Sequence, residues 1–126
     1  MSFAHTTSKI QDRTKNVTRR KGWQSLQPGD LFWACPRIRG LKRGQKVQRL
    51  ALLRCLSIRS EPLNRVTSRD VAREGYPGMK PSEFVQMFCR DMGGTPDQIV
   101  QRIEFAYEEE AKAPPMMRPI GKGAVL

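Results

Sequence analysis

Apolar positions change their spacing several times along the chain, and each change marks an element. Leu31-Phe32-Trp33-Ala34-Cys35 is an unbroken apolar run of strand length. It follows Leu26-Gln27-Pro28-Gly29-Asp30, whose Pro-Gly pair makes a turn, so it predicts a buried strand. Val47 to Ile58 alternates imperfectly, with Val47, Leu50, Leu52, Leu53, Leu56 and Ile58 apolar among Gln48, Arg49, Arg54 and Ser57. That pattern predicts a long, partly buried strand, although the spacing alone also permits a helix. From Ile99 to Tyr107 the odd positions Ile99, Ile103, Phe105 and Tyr107 are apolar with Arg102 and Glu104 between, which predicts a final strand. Lys15 to Lys21 is polar, carries the β-formers Val17 and Thr18 and is stopped by Gly22, a short strand. Phe3-Ala4 is a possible further strand, and the stretch from Thr6 has room for one or two helical turns.

Two helices are signalled by their ends. Thr67 is an N-cap candidate with Asp70 in place of the usual Glu, and Gly75 closes a helix over Ser68–Glu74. Pro81 and Glu83 open a second, in which Phe84, Val85, Met87, Phe88 and Met92 share one face before Gly93-Gly94 ends it. Pro36 to Gln45 carries Arg37, Arg39, Lys42 and Arg43 beside Gly40 and Gly44 and reads as an exposed basic loop. Residues 111–126, with Pro114, Pro115 and Pro119, have no period and read as a flexible tail. Residues 10–110 then form one α/β domain, preceded by an N-terminal segment 1–9.

With 126 residues, 38% of them hydrophobic and 28% charged, the chain suits one soluble core. No apolar run approaches the roughly 20 residues of a membrane helix, and the basic first 25 residues lack a signal-peptide core. A cytoplasmic, non-membrane protein is expected. Cys35, Cys55 and Cys89 are odd in number and widely spaced, and His5 is the only histidine, so neither a disulfide framework nor a metal site nor any cofactor is expected. Charge changes the picture more. Residues 1–73 hold 17 Lys or Arg against 4 Asp or Glu, and residues 74–126 hold 6 against 8, within a total of +11. So lopsided a charge favours a polyanionic partner, RNA or DNA, though it also serves solubility alone. Nothing in the pattern calls for a state beyond a monomer.

The chain lacks a dinucleotide fingerprint, a phosphate-binding loop and a nucleophile elbow. Catalysis would fall to Lys, Thr, carboxylates or Tyr. Lys15-x-x-Thr18-x-Arg20 supplies such groups: a desolvated lysine among cations loses proton affinity and can take the proton of a threonine hydroxyl. Arg19 and Arg20 would hold an anionic or carbonyl-bearing ligand. Read alone, such a run of basic residues is more often a solvated or phosphate-contacting surface than a catalytic site. On a straight strand Lys15 and Thr18 face opposite ways, so Lys15 must come from a turn or curl round. Glu74 sits at a helix C-terminus, where the dipole disfavours its charge and favours a proton-donating acid. Tyr76 and Trp23 are stacking candidates.

Taken in order, Lys15-Asn16-Val17-Thr18-Arg19-Arg20, Leu26-Gln27-Pro28-Gly29-Asp30, Arg69 to Gly78 with Glu74, Pro81–Phe88 and Arg102-Ile103-Glu104-Phe105 resemble the ASCH superfamily, including small proteins of bacteria and phages. The resemblance spans roughly residues 10–108 and implies a PUA-like mixed β-barrel of about five or six strands with two short helices. One branch it is similar to is a bacterial acetylcytidine amidohydrolase, which implies Thr18 as nucleophile, Lys15 as base, Glu74 as acid and Arg20 in the same cleft. Arg19, apolar in that branch, and the basic loop depart from it toward a longer polyanion.

The leading expectation is binding of RNA or a modified nucleotide or nucleoside, with Arg37, Arg39, Lys42, Arg43, Lys46 and Arg49 on phosphates. The alternatives are an amidohydrolase acting on an acylated pyrimidine nucleoside, and a small interaction module of a mobile element that uses its Met116-Met117 tail.

Overall fold

The computed structural model describes residues 1–36 and 48–109. The elements run α1 (Thr7–Gln11), β1 (Val17–Arg20), β2 (Leu31–Ala34), β3 (Ala51–Pro62), a 3-10 turn (Leu63–Arg65), α2 (Ser68–Arg73), α3 (Pro81–Met92) and β4 (Ile99–Glu108). The strands make one antiparallel sheet, β1-β4-β3-β2, curled into a half-barrel. The α/β class and the PUA-like architecture stand, with four sheet strands among the described residues in place of five or six. The N-terminal pairing is reduced to one parallel bridge between Ser2 and Cys35. Among the described residues parallel character is confined to that bridge, because the β1–β4, β2–β3 and β3–β4 pairings are antiparallel.

The β3–β4 pairing carries the sheet. It runs from Leu52 opposite Glu108 to Pro62 opposite Ile99, with a bulge between Cys55 and Ser57. A bulge adds an unpaired residue and increases local twist, here turning Leu56 outward and helping the sheet to curl. β3 also begins and ends later than the alternation of Val47 to Ile58 predicts. Its second half, Arg59-Ser60-Glu61, is polar because it borders a layer of buried charge.

Helix ends follow local chemistry closely. The Lys80 backbone N–H donates to Glu83 Oε1 at 3.0 Å at the start of α3, Phe84, Val85 and Phe88 turn inward, and Gly93 closes the helix at φ +81°. Thr67 Oγ1 accepts from the Asp70 backbone N–H at 3.2 Å, and α2 stops at Glu74 because Gly75 takes φ +111°, a left-handed conformation suited to glycine.

Two apolar clusters result. One gathers Met1, Phe3, Ile10, Trp23, Phe32, Leu53, Ile103 and Phe105; the other gathers Leu63, Val71, Phe84, Val85, Phe88 and Val100. Met1 and Phe3 of the N-terminal segment therefore pack into the core, while Ala4, His5 and Ser8 stay exposed. Arg102 lies on β4 between Val100 of one cluster and Ile103 of the other, where the buried charge sits. No helix among the described residues is long and apolar enough to cross a membrane. Arg37, Arg39, Lys42, Arg43, Lys46 and the tail 111–126 lie outside the described residues.

Candidate functional site

Cross-strand register sets the foundation of the site. Arg19 on β1 stands directly opposite Arg102 on β4, and Arg102 directly opposite Arg59 on β3. Three aligned cations repel one another unless carboxylates intervene. Asp70, from α2, takes Arg102 at 2.7 and 3.2 Å and Arg19 at 2.7 Å. Glu61 bridges Arg19 at 3.1 Å and Arg59 at 2.8 Å. Glu74 completes the set by accepting from Arg19 Nη1 at 3.1 Å. Asp70 is held well below the usual carboxylate range, since burial, which would raise it, is outweighed by the hydrogen bonds from Arg102 and Arg19.

Lys15 joins this network through the other oxygen of Glu74. It comes from the loop ahead of β1, which resolves the facing problem of a straight strand. Three contacts fix that loop: the Lys15 N–H donates to the Lys9 carbonyl at 3.2 Å, the Tyr107 hydroxyl donates to the Lys15 carbonyl at 2.6 Å, and the Asn16 N–H donates to the Arg73 carbonyl at 3.0 Å. Lys15 Nζ then donates to Glu74 Oε1 at 3.0 Å and to the Glu74 backbone carbonyl at 2.7 Å. The second bond satisfies a carbonyl at the C-terminal end of α2, where a cation is electrostatically favoured. Burial pulls the Lys15 amine below the ordinary lysine value even though Glu74 opposes the shift.

Thr18 and Arg20 sit two residues apart on the same strand face. Arg20 Nε donates to Thr18 Oγ1 at 3.1 Å, and the guanidinium stacks over the Phe3 ring with 4.6 Å to its centroid. Desolvation brings Arg20 down to about 10, which leaves it charged at neutral pH.

A cavity of about 380 Å³ opens beside this assembly. Lys15, Thr18, Arg19, Arg20 and Glu74 form one polar side, Phe3, Tyr76, Met87 and Phe88 contribute apolar wall, and Thr6, His5 and the carboxylate of Asp91 also reach the lining. Six of the sequence-derived residues, Lys15, Thr18, Arg19, Arg20, Glu74 and Tyr76, thus line one space, which Met87 and Phe88 of α3 also border. Among the described residues Lys15 bonds to Glu74 and not to Thr18, so these groups share a wall without forming a linked triad. Both Glu74 oxygens act as acceptors, so the donating role expected from its helix-end position is not displayed in this geometry.

Two assignments change, and Tyr76 keeps its place at the cavity. Trp23 is no stacking platform: its backbone takes φ +74°, and the buried indole lies 6.1 Å from Phe32 in the core, away from the cavity. Arg19 touches the cavity wall, but its side chain is 1% exposed and held by three carboxylates, so it serves the framework before any ligand. Tyr76 lines the cavity but also packs on Phe84 at 6.1 Å. Arg49, the basic candidate among the described residues outside the cavity, is exposed and lies over Trp33, 4.5 Å from the ring centroid. Asp70, Glu61 and Arg102 are the residues that sequence reasoning missed. Among the described residues no group of His, Cys, Asp and Glu is arranged to hold a metal ion.

No family model and no curated protein matches the sequence. Solved structures match it in fold. A crystal structure of a DUF984-family protein from Enterococcus faecalis V583 aligns with a TM-score of 0.57 at 16% identity, covering 82% of this chain and 69% of that one. A crystal structure of an ASCH domain from Lactobacillus crispatus JV V101 aligns with a TM-score of 0.53 at 12% identity, covering 85% of this chain and 75% of that one.

Proposed function

On the premise of an ASCH-like fold, we propose that this chain binds RNA or a modified nucleotide and takes one base into the cavity beside α3. The observation that carries the reading is the meeting of Lys15, Thr18, Arg20 and Glu74 on one wall of a 380 Å³ space whose other walls include Phe3, Tyr76, Met87 and Phe88. A planar heterocycle with exocyclic oxygens and nitrogens needs that combination of apolar walls and a few fixed polar groups, and the volume falls within the roughly 300–1,000 Å³ of small-ligand sites. The +13 balance of residues 1–73 supports a polyanion around the bound unit. In that reading Arg37, Arg39, Lys42, Arg43, Lys46 and Arg49 extend the contact along a phosphate backbone.

Calorimetric titration with cytidine and acetylcytidine tests the pocket. Single-site binding is expected, weakened about tenfold or more in Tyr76→Ala by loss of an aromatic wall. No heat with either nucleoside, or undiminished binding by the variant, contradicts the assignment.

One observation keeps the amidohydrolase reading in play: the Lys15 amine, depressed by burial, lines the same cavity as the Thr18 hydroxyl. In that chemistry a neutral Lys15 accepts the hydroxyl proton, Thr18 Oγ1 bonds to the acyl carbon, the carbon–nitrogen bond breaks, and the leaving amine takes a proton. Water then hydrolyses the acyl-threonine. Lys15 must first leave Glu74 and Thr18 must leave Arg20. Mass spectrometry of acetylcytidine incubated with the protein separates the two readings. Acetyl loss that disappears in Lys15→Ala, Thr18→Ala and Glu74→Ala establishes the hydrolase; intact acetylcytidine with measurable binding establishes a noncatalytic pocket.

A further inference from the structure

The polar wall of the cavity is not equally committed. Lys15 is paired with Glu74, and Arg19 with Glu61, Asp70 and Glu74. Arg20 differs from both. Among the described residues no carboxylate lies within ion-pair distance of it, Glu74 acting on it only from farther away, and its side-chain hydrogen bond runs from Nε to Thr18 Oγ1. That bond and the Phe3 ring fix the guanidinium plane and leave its two terminal nitrogens available. Thr18 is buried, and its oxygen is occupied as an acceptor. Its own hydroxyl hydrogen meets no acceptor among the described residues, so a ligand atom is the partner that satisfies it.

We infer that Arg20 and Thr18 together form an oxyanion subsite that receives a phosphate of the nucleotide bound in the cavity. Two guanidinium N–H groups and one hydroxyl suit a tetrahedral oxyanion, because a planar fork binds two of its oxygens and the hydroxyl reaches a third. The inference rests on the nucleotide-binding reading and narrows it: the preferred ligand carries a phosphate, whereas a free nucleoside leaves the subsite empty. Arg20 is therefore a specificity-determining residue. Its bond to Thr18 Oγ1 also occupies one of the two lone pairs of that oxygen.

The test uses the full chain and three probes: inorganic phosphate, cytidine and cytidine 5′-monophosphate. Nuclear magnetic resonance follows the Arg20 Nε–H and Thr18 methyl signals, and calorimetry gives the affinities. Phosphate alone is expected to move both signals saturably, leaving the side chains of exposed Arg49 and Arg65 nearly still. The monophosphate is expected to bind about tenfold more tightly than cytidine, the worth of one charge-assisted contact. That ratio collapses toward one in Arg20→Gln, recovers in part in Arg20→Lys, and falls severalfold in Thr18→Val, which retains the guanidinium if Arg20→Gln fails to fold. Equal affinity for cytidine and its monophosphate, with unmoved Arg20 and Thr18 signals, overturns the subsite and leaves the base pocket standing. Saturable binding of phosphate and of the monophosphate with equal affinity, and none of cytidine, sustains the subsite and overturns the base pocket. Equal phosphate shifts at Arg20, Arg49 and Arg65 reduce the effect to general charge attraction and overturn the subsite, and silence with every probe overturns both proposals.

Discussion

Replacing Asp70 with asparagine is expected to lower the unfolding free energy by roughly 3–5 kcal/mol, read from the urea midpoint. The reason is the number of charges that depend on one carboxylate. Asp70 takes Arg102 through two bonds and Arg19 through a third, and both arginines are buried. Without it, Arg102 keeps no buried counter-ion opposite Arg19, and the aligned arginines repel across β1, β4 and β3. A carboxyl depressed in the folded state contributes stability that is fully present above its unfolded value, about 3.9, and is lost as pH falls below it. The parent protein should therefore lose stability more steeply than Asp70→Asn between about pH 5 and pH 2. Parallel acid profiles for the two proteins would contradict this account of the network.

Glu74→Gln should cost roughly 3 kcal/mol at neutral pH and should carry the opposite pH signature. The amide keeps the size of the side chain but removes the charge that offsets burial of Lys15. The Lys15 amine, already below the ordinary lysine value, then falls further. A lysine depressed in the fold weakens the folded state while it is protonated. Between its folded value and the unfolded one near 10.4, the unfolded chain binds more protons, so stability rises with pH. Urea midpoints at about pH 6 and about pH 9 should show the deficit of Glu74→Gln shrinking at the higher pH. Adding Lys15→Met should cost less than the sum of the single changes, with a coupling of about 1–3 kcal/mol, because the two groups contact each other directly. A constant deficit and strict additivity would show that Lys15 and Glu74 are independent.

What local sequence reveals of this molecule depends on whether the governing contact is local. The bounds of α3 follow from Pro81, Glu83, the Phe84-Val85-Phe88 face and Gly93, all of which act within a few residues. Thr67 caps α2 as its position predicts. β3 was harder, since its late end is set by pairing with β4, down to Pro62 opposite Ile99, while its own Arg59-Ser60-Glu61 looks like a loop. Trp23 beside Gly22 gives no local sign of a left-handed backbone that folds the indole inward.

The candidate site divides the same way. Lys15, Thr18 and Arg20 are legible as a cluster because they lie within six residues, and Glu74 because it ends a helix. Asp70 is read locally as a helix-start acid, but its carboxylate serves Arg19 and Arg102, 51 and 32 residues away in sequence. Glu61 is equally remote from Arg19, at 42 residues. One signal was available: among 17 cations in residues 1–73 the acids number four, Asp12, Asp30, Glu61 and Asp70, so each is a candidate counter-ion for a buried arginine. Arg19, read as a ligand group because of its basic neighbours, has its two terminal nitrogens directed to Glu61, Asp70 and Glu74, and its buried Nε has no partner among the described residues.

The most direct test of nucleotide recognition in the cavity is a map of backbone amide shifts during titration with cytidine 5′-monophosphate. Saturable shifts clustered on Phe3, Thr18, Arg20, Glu74, Tyr76 and Phe88 are expected. Shifts scattered over the exposed Arg49, Arg59, Arg65 and Arg69, with those six unmoved, would place binding on surface charge and contradict a base-binding cavity.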